Sequence, residues 1–353
     1  MKNKKTNIDI IADSVTEMAL SCIEKEKKMP WEMPWNQNLG VFAHNHSTGY
    51  IYRGVNCYLT FISQLEEYKH NAWITFDQLA NKMGFKKVRS GKFFWYADKN
   101  DEKVKYNDLK ALMLKDVDAK RMPVENWTPN IYLREGWKKV TFKQKARMIE
   151  EGTHTNEDFV VRFPQQPRIH LVYNIEQTKL PLPKPKKTKK LKKTEVEKTL
   201  HNLIKEMKNS PVLKIDGRNA CYSPSKHTIH MPTMKQFKDK SGYNGTSESH
   251  YFHTGCHELV HSSGHKNCLS REGITDLGIW GDHRYAKEEL VAESGAEMLA
   301  RYFNFDTSSA TKNTEAYLQG WATKLKNDKT IMASALRDSS KAVNYILNDK
   351  ENK

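Results

Sequence analysis

The sequence has few of the residues that build disulfide frameworks or cysteine metal sites. Its five cysteines are odd in number and scattered, and no two of them form a CxxC pair. This pattern argues against a disulfide-rich secreted domain and against a cysteine-based zinc site. No apolar run approaches the ~20 residues that a membrane-spanning helix needs, and the N-terminus MKNKKTNIDI has no secretory core. We therefore expect a cytoplasmic protein without a membrane segment.

Several catalytic signatures are absent as well. The chain has no Walker loop, no GxGxxG, no Ser/His/Asp signature and no deaminase HxE…PCxxC pattern. What is abundant is positive charge, with 58 Lys and Arg against 42 Asp and Glu and a formal net charge of +16. A charge of this size predicts an anionic partner, and nucleic acid is the commonest one.

A change in composition divides the chain. At 353 residues, two domains are the reasonable expectation. Residues 180–194 read LPLPKPKKTKKLKKT, in which like charges repel and prolines stiffen the backbone, so we expect an exposed linker. The predicted organisation is a front domain over 1–180, a linker over 181–194 and a back domain over 195–353. The predicted fold class is α+β, with a mixed α/β front and a mainly helical back.

The back domain contains the clearest chemical motif. His257-Glu258-Leu259-Val260-His261 has the HExxH form, and a predicted helix over 247–263 places both imidazoles on one face. Thr246 is a suitable N-cap for that helix. Two histidines with one acid are borderline ligands that suit tetrahedral zinc, although another divalent transition metal such as Mn²⁺ fits too. Glu258 is then the candidate catalytic base.

A second predicted helix, over 285–303, supplies the acid. It carries Glu289 and Glu293 four residues apart on one face. In thermolysin-like enzymes a downstream Glu is the third ligand, and an acid four residues later orients a histidine. By that pattern Glu289 is the third metal ligand and Glu293 its support, since such outer contacts fix an imidazole. Glu288 lies about 100° around the helix, and we expect it to be solvated.

The longer metzincin signature fails at its decisive residue. The string HELVHSSGHKN begins like HExxHxxGxxH, but Asn267 stands where the third histidine belongs and His265 comes two residues too early. We expect His265 simply to leave the helix, and the alternative is a hydrogen-bonding group on the substrate side. The thiols of Cys256 and Cys268 are expected to be buried.

If the site is active, it hydrolyses a peptide-like bond. Zinc would polarise the carbonyl and acidify water, while Glu258 takes the proton and passes it to the leaving amine. A small hairpin is predicted from residues 220–222 and 228–230. Its second strand, over 228–231, is expected to hold an extended substrate by edge pairing.

The front half interleaves aromatic and basic residues. Six of the eight tryptophans precede the linker. Aromatic faces stack on unpaired bases and cations follow phosphates, which together favour a single-strand binding groove. We expect at least half of these aromatics to be core residues instead. The residues expected to contact the strand are Trp31, Trp35, Tyr52, Arg53, Lys86, Lys87, Arg89 and Lys92.

Taken in order, these motifs resemble the ArdC-type antirestriction proteins of conjugative plasmids and phages. The similar segments are MPWEMPW, STGYIYRGVNCYL, WITFDQLANKMGFKKVRSGK, LVYNIEQT, HTIHMP, YFHTGCHELVHSSGH, YAKEELVAESGAEML and YLQGWATKLKND. The polar stretch from Ala97 to about Arg121 departs from the family pattern, and the lysine-rich linker is more basic than expected.

The resemblance implies a front domain that binds single-stranded DNA and a zincin-like metallopeptidase domain behind it. The implied role is protection of incoming DNA from host restriction enzymes. By matching motif, His257, Glu258 and His261 are the HExxH members and Glu289 the downstream acid.

Two other functions remain open. In the first, the protein coats DNA and its metal is structural, so that metal removal would lower stability without changing DNA affinity. In the second, the protein is a cytosolic zinc protease that acts on a regulator, and its positive charge is incidental. Binding of single strands that does not weaken with salt would favour this protease, because phosphate contacts release counterions.

Overall fold

The computed structural model describes most of the chain. The described residues are 5–30, 43–62, 68–184, 191–217, 219–237, 246–276, 283–305, 307 and 315–348. In these segments, no helix has both the length and the apolar character that crossing a membrane requires.

Eleven α-helices and thirteen strands are found in the described residues. The helices are α1 Asn7–Ser21, α2 Gly54–Ile62, α3 Phe76–Lys82, α4 Tyr106–Met113, α5 Phe142–Glu150, α6 Val196–Glu206, α7 Ser247–Ser263, α8 Glu272–Thr275, α9 His283–Tyr302, α10 Glu315–Asn327 and α11 Thr330–Ile346. The strands are β1 His44–Asn45, β2 Ala72–Thr75, β3 Lys86–Ser90, β4 Phe93–Ala97, β5 Lys103–Val104, β6 Met122–Asn126, β7 Asn130–Leu133, β8 Lys139–Val140, β9 Phe159–Arg162, β10 Arg168–Asn174, β11 Val212–Lys214, β12 Cys221–Ser223 and β13 Thr228–His230.

The front half contains three small sheets. The first has the strand order β1-β2-β10-β6, with β10 antiparallel to both of its neighbours. The other two are antiparallel, in the orders β3-β4-β5 and β8-β7-β9. Helices α3 and α4 share a core with β2, β4 and β10, which belong to the first two sheets.

The back half is largely helical and has one three-stranded sheet in the order β11-β13-β12. The α+β class with a mixed front and a mainly helical back is therefore confirmed. The expected substrate-binding edge is wrong, however. Strand β13 pairs with β11 on one side and β12 on the other, so its backbone groups are already used. Strand β12 is an edge of this sheet, and it lies against α7.

One large core joins the two halves. Ile11 and Val15 of α1 and Tyr58 of α2 pack in the same cluster as the buried faces of α6, α7, α9 and α11. A paired charge adds to this junction, since Glu125 of β6 accepts hydrogen bonds from Arg337 of α11, the shortest at 2.7 Å. Packing thus crosses the boundary drawn at residue 180, and the domain limits 1–180, 181–194 and 195–353 remain a prediction.

Two glycines let helices approach α7 closely. A Cβ atom at Gly255 would lie 2.2 Å from Leu200 Cδ2 of α6, and one at Gly295 of α9 would lie 2.9 Å from Val260 Cγ2 of α7. Neither distance is sterically possible without movement. The absence of these side chains therefore sets how near α6 and α9 come to the HExxH helix.

We expect Gly255→Ala to destabilise the protein by about 1–3 kcal/mol, because the added methyl overpacks a core in which Leu200 is fully buried. Gly320→Ala is the matched control. Gly320 is at an exposed position of α10 with nothing within 4 Å of an added Cβ, so alanine should stabilise by about 0.5–1 kcal/mol. Urea unfolding of both variants measures the difference. Equal stabilities would contradict the close-approach argument.

Candidate metal centre

Helix α7 begins where the sequence predicts and presents both HExxH histidines to one point. Thr246 caps it by accepting a hydrogen bond from the backbone N–H of Ser249. His257 and His261 lie one turn apart, and their Nε2 atoms are 3.0 Å from each other. The rings meet edge to face, with centroids 4.7 Å apart. Two ring nitrogens this close together point into the same small volume.

Helix α9 brings a carboxylate to that volume. Glu289 Oε2 lies 3.7 Å from His257 Nε2, and Glu289 Oε1 lies 3.5 Å from His261 Nε2. One donor atom from each residue can be chosen so that all three lie within 4.8 Å of one another. Burial lowers the pKa of His261, but hydrogen bonds to Glu288 and Glu289 outweigh it and raise the pKa to about 10. The environment therefore stabilises positive charge, and this donor set fits a divalent cation.

Glu293 supports the first histidine from behind. Its Oε1 lies 3.3 Å from His257 Nδ1 and its Oε2 lies 3.0 Å from His253 Nε2. Burial would raise the pKa of Glu293, but the charges and hydrogen bonds of His257 and His253 lower it well below its ordinary value. An ionised carboxylate at Nδ1 favours the tautomer that leaves Nε2 available to a metal. Glu293 thus occupies the position expected of the supporting acid.

The expectation that Glu288 is solvated is wrong. Glu288 is 4% exposed and contacts His261 Nδ1 at 3.2 Å. Arg271, which precedes α8, donates to both of its oxygens, at 2.9 and 2.6 Å, and also to the carbonyl of Val260. This ion pair compensates the buried charge, because a carboxylate without it would be costly there. Each HExxH imidazole is therefore held by its own carboxylate on α9.

Glu258 lies beside the three donors without joining them. It is 8% exposed, and its charge acts on Cys221 of the edge strand β12 and on Tyr285 of α9. Burial, followed by the charge of Glu289, raises the pKa of Tyr285 to about 12, so a neutral phenol donates its hydrogen bond to Glu289. A carboxylate next to a cation site and an open strand edge is suited to moving a proton on a bound peptide.

The residues expected to contact nucleic acid separate into three groups. Trp31 and Trp35 lie outside the described residues. Tyr52 is 4% exposed and packs in a small core with Trp73, so its ring is placed for packing and not for stacking on a base. Arg53 is half-buried and its guanidinium hydrogen-bonds Asn344 of α11.

The third group lies on the β3–β4 hairpin. Lys86, Arg89 and Lys92 are exposed there, and Lys87 extends its ammonium over the Phe94 ring at 4.2 Å from the centroid. The rings of Phe93 and Phe94 are 80% and 54% exposed. Sequence reasoning named the cations, but it did not separate these two outward-facing rings from buried aromatics such as Tyr96. A hairpin with exposed rings and cations can stack on bases and contact phosphates.

Comparison with known protein families covers most of the chain. Residues 9–120 match the N-terminal domain of the anti-restriction factor ArdC, and residues 198–338 match the zincin-like metallopeptidase family MPTase-PolyVal. The second match contains α7 and α9 with all four residues of the candidate centre. The chain belongs to the ArdC-type antirestriction proteins. The ArdC match also includes nearly all of the polar stretch that departs from the pattern read in the sequence.

Two crystal structures of the antirestriction ArdC protein from plasmid R388 share the ArdC-type fold with this chain. Both are 21% identical to it with a TM-score of 0.57. The metal-free structure covers 96% of this chain and 97% of its own, and the Mn(II)-bound structure covers 97% and 98%. A metal-binding zincin-like domain agrees with the cluster of metal-donor side chains that this chain has on α7 and α9.

Two Escherichia coli proteins described as DNA primase TraC are also similar to this ArdC-type chain. They are 25% and 26% identical to it over 351 and 323 residues, or 98% and 90% of its length. The aligned part is 20% and 25% of the relatives' own lengths. The chain therefore spans about a fifth to a quarter of these curated relatives.

The support behind His257 in this ArdC-type centre can be tested with one substitution. We expect Glu293→Gln to weaken Mn²⁺ binding about 10- to 100-fold, because a neutral amide no longer fixes His257 by charge. Isothermal titration calorimetry measures the affinity. Glu272→Gln, an exposed change on α8, should leave it unaltered. Equal affinities in the two variants would show that Glu293 does not act on the metal site.

Proposed function

We propose that this chain is a cytoplasmic antirestriction protein of a plasmid or phage that binds single-stranded DNA, carries a zinc peptidase centre and protects incoming DNA from host restriction. The observation that carries the catalytic part is the convergence of two imidazoles and a carboxylate beside Glu258. The family supports the antirestriction role, and the β3–β4 hairpin supports the DNA contact.

In this proposal His257, His261 and Glu289 hold the zinc ion. Bound zinc supplies Lewis-acid polarisation of the scissile carbonyl and acidifies water. Glu258 accepts the proton of the attacking water and returns it to the leaving amine, which its place one residue after His257 permits. Strand β12 pairs with the extended peptide through its outer edge, since Cys221 of that strand lies near Glu258. Glu293 and Glu288 keep both imidazoles oriented throughout.

The general base provides the test of catalysis. We expect the Glu258→Gln variant to keep its metal and its fold, but its rate of peptide hydrolysis should fall by a factor of at least about 10². The variant should also fail to protect unmodified DNA in a restricting host. Transformation efficiency with that DNA measures protection, and metal content is measured in parallel. His257→Ala, which removes a metal ligand, is the comparison.

The two variants separate the competing functions. Protection that survives Glu258→Gln but is lost in His257→Ala would support the DNA-coating protein with a structural metal and overturn the catalytic proposal. Protection that survives both changes would show that the metal centre plays no part in protecting DNA.

The proposed DNA surface is the β3–β4 hairpin. Its cations project from a two-stranded ribbon next to exposed rings, so phosphates and bases can be contacted together. Lys87 is partly neutralised by Asp77, 2.6 Å away. Lys86 lies 3.7 Å from Asp101, but both of these side chains are largely exposed, so solvent screens that pair. We therefore assign the phosphate contacts to Lys86, Arg89 and Lys92. Phe93 is 80% exposed, so packing inside the protein does not explain the size of its ring.

We expect the triple change Lys86→Gln, Arg89→Gln, Lys92→Gln to weaken binding of a labelled single-stranded oligonucleotide. The slope of log K against log salt should become less steep by about 2, because each lost contact to a single-strand phosphate removes ~0.7. Fluorescence anisotropy across a salt series measures both. Phe93→Ala should weaken binding further by about 1–3 kcal/mol through lost stacking.

The matched control is a second triple variant that loses the same net charge in the back half of the chain. Lys205, Lys208 and Lys214 are exposed in the back half, and replacing all three by glutamine should leave the slope nearly unchanged. An equal loss in both triple variants would mean that DNA responds to overall charge and not to the hairpin. A wild-type affinity that ignores salt would instead favour the protease without a DNA role.

A further inference from the structure

A second group of metal-binding side chains lies outside the centre described above. His227 is in the turn between β12 and β13, and His265 and Cys268 follow the end of α7. One donor atom from each can be chosen so that all three lie within 4.8 Å of one another. Nothing in the proposed peptidase chemistry uses them. Cys268 is half-buried, not buried as the sequence suggested, so its thiol can be reached.

The surroundings of these three residues are polar and already organised. The imidazoles of His227 and His265 stack with centroids 4.1 Å apart. His227 Nδ1 contacts Tyr222 Oη at 2.8 Å and its Nε2 contacts the Asn209 carbonyl oxygen at 2.8 Å. Cys268 Sγ lies 3.8 Å from that same carbonyl oxygen. Whichever nitrogen of His227 binds a metal, the other keeps a hydrogen-bond partner, as histidine ligands in proteins usually do.

The types of donor atom in the group set its metal preference. No acidic side chain is among the three donors, whereas the centre on α7 and α9 includes Glu289. Two imidazoles with a thiol form a softer set, which suits Zn²⁺ and discriminates against Mn²⁺.

We propose that His227, His265 and Cys268 form a second metal site, selective for Zn²⁺ and structural in role. The two stacked rings rotate apart on binding, because their in-plane lone pairs otherwise run side by side. Binding also takes the thiol proton of Cys268 to solvent, and the metal forms one bond to Sγ and one to each imidazole. The Asn209 carbonyl oxygen lies 2.8 Å from His227 Nε2 and 3.8 Å from Cys268 Sγ, close enough to add an oxygen ligand. The metal connects the β12–β13 turn to the segment after α7, and so fixes the edge strand β12 beside Glu258.

Titration with Co²⁺ alone tests the site, because a cobalt–thiolate bond gives a near-ultraviolet charge-transfer band that imidazole and carboxylate ligands do not give. We expect metal-free protein to bind two equivalents of Co²⁺ and to develop this band. Cys268→Ser should remove the band and one equivalent. His257→Ala should remove the other equivalent and keep the band, which makes the result independent of the peptidase proposal.

Cysteine controls identify the source of the sulfur. Cys221→Ser is needed because Cys221 lies near Glu258, and Cys256→Ser because Cys256 adjoins His257; both should keep the band. Added Zn²⁺ should also raise the melting temperature of His257→Ala but not that of the double variant His257→Ala, Cys268→Ser. One equivalent of Co²⁺ in the wild type, or a band that persists in Cys268→Ser, would overturn the proposal.

Discussion

Helices α7 and α9 must cross closely enough for two imidazoles of one to share a carboxylate of the other. That distance is set where Gly295 meets Val260, because any side chain larger than hydrogen would separate the helices. Both helices are then largely buried, and their polar residues have to find partners inside the protein. The residues paired in this way are Glu288, Glu293, Arg271, His253, His257 and His261. The metal centre is thus one part of a larger buried polar network.

The network has two sides that hold the imidazoles differently. His261 is supported by Glu288, whose charge is compensated by Arg271 in a two-point ion pair. His257 is supported by Glu293, which also contacts a second histidine, His253. Removing charge on the His261 side would therefore leave a guanidinium buried beside the centre, and that outcome is costlier than the loss of a histidine contact.

Much of the site could be predicted from the sequence because its signals are local. The i, i+4 spacing of His257 and His261 and the capping residue Thr246 need only a helix. Helix α9 is buried on all sides by segments that are distant in sequence, so the angle of Glu288 around the helix does not predict its exposure. Its partner Arg271 comes from such a different segment. Strand β13 was misread as an edge because β11 pairs with it from a three-residue segment that has little signal of its own. Likewise, residue type alone does not show whether an aromatic side chain such as Tyr52 is buried or exposed.

The shared core has a consequence for how this polypeptide can be divided. The lysine-rich segment near residue 185 looks like a natural cutting point, yet a fragment that starts behind it would lack α1 and α2. Those two helices cover apolar surface on α11, and Gly54 at the start of α2 approaches the Leu336 carbonyl so closely that an added Cβ would lie 2.9 Å from it. The scaffold of the zincin-like half therefore begins at Asn7. Gene fusions that borrow this half would need to carry the first sixty or so residues with it.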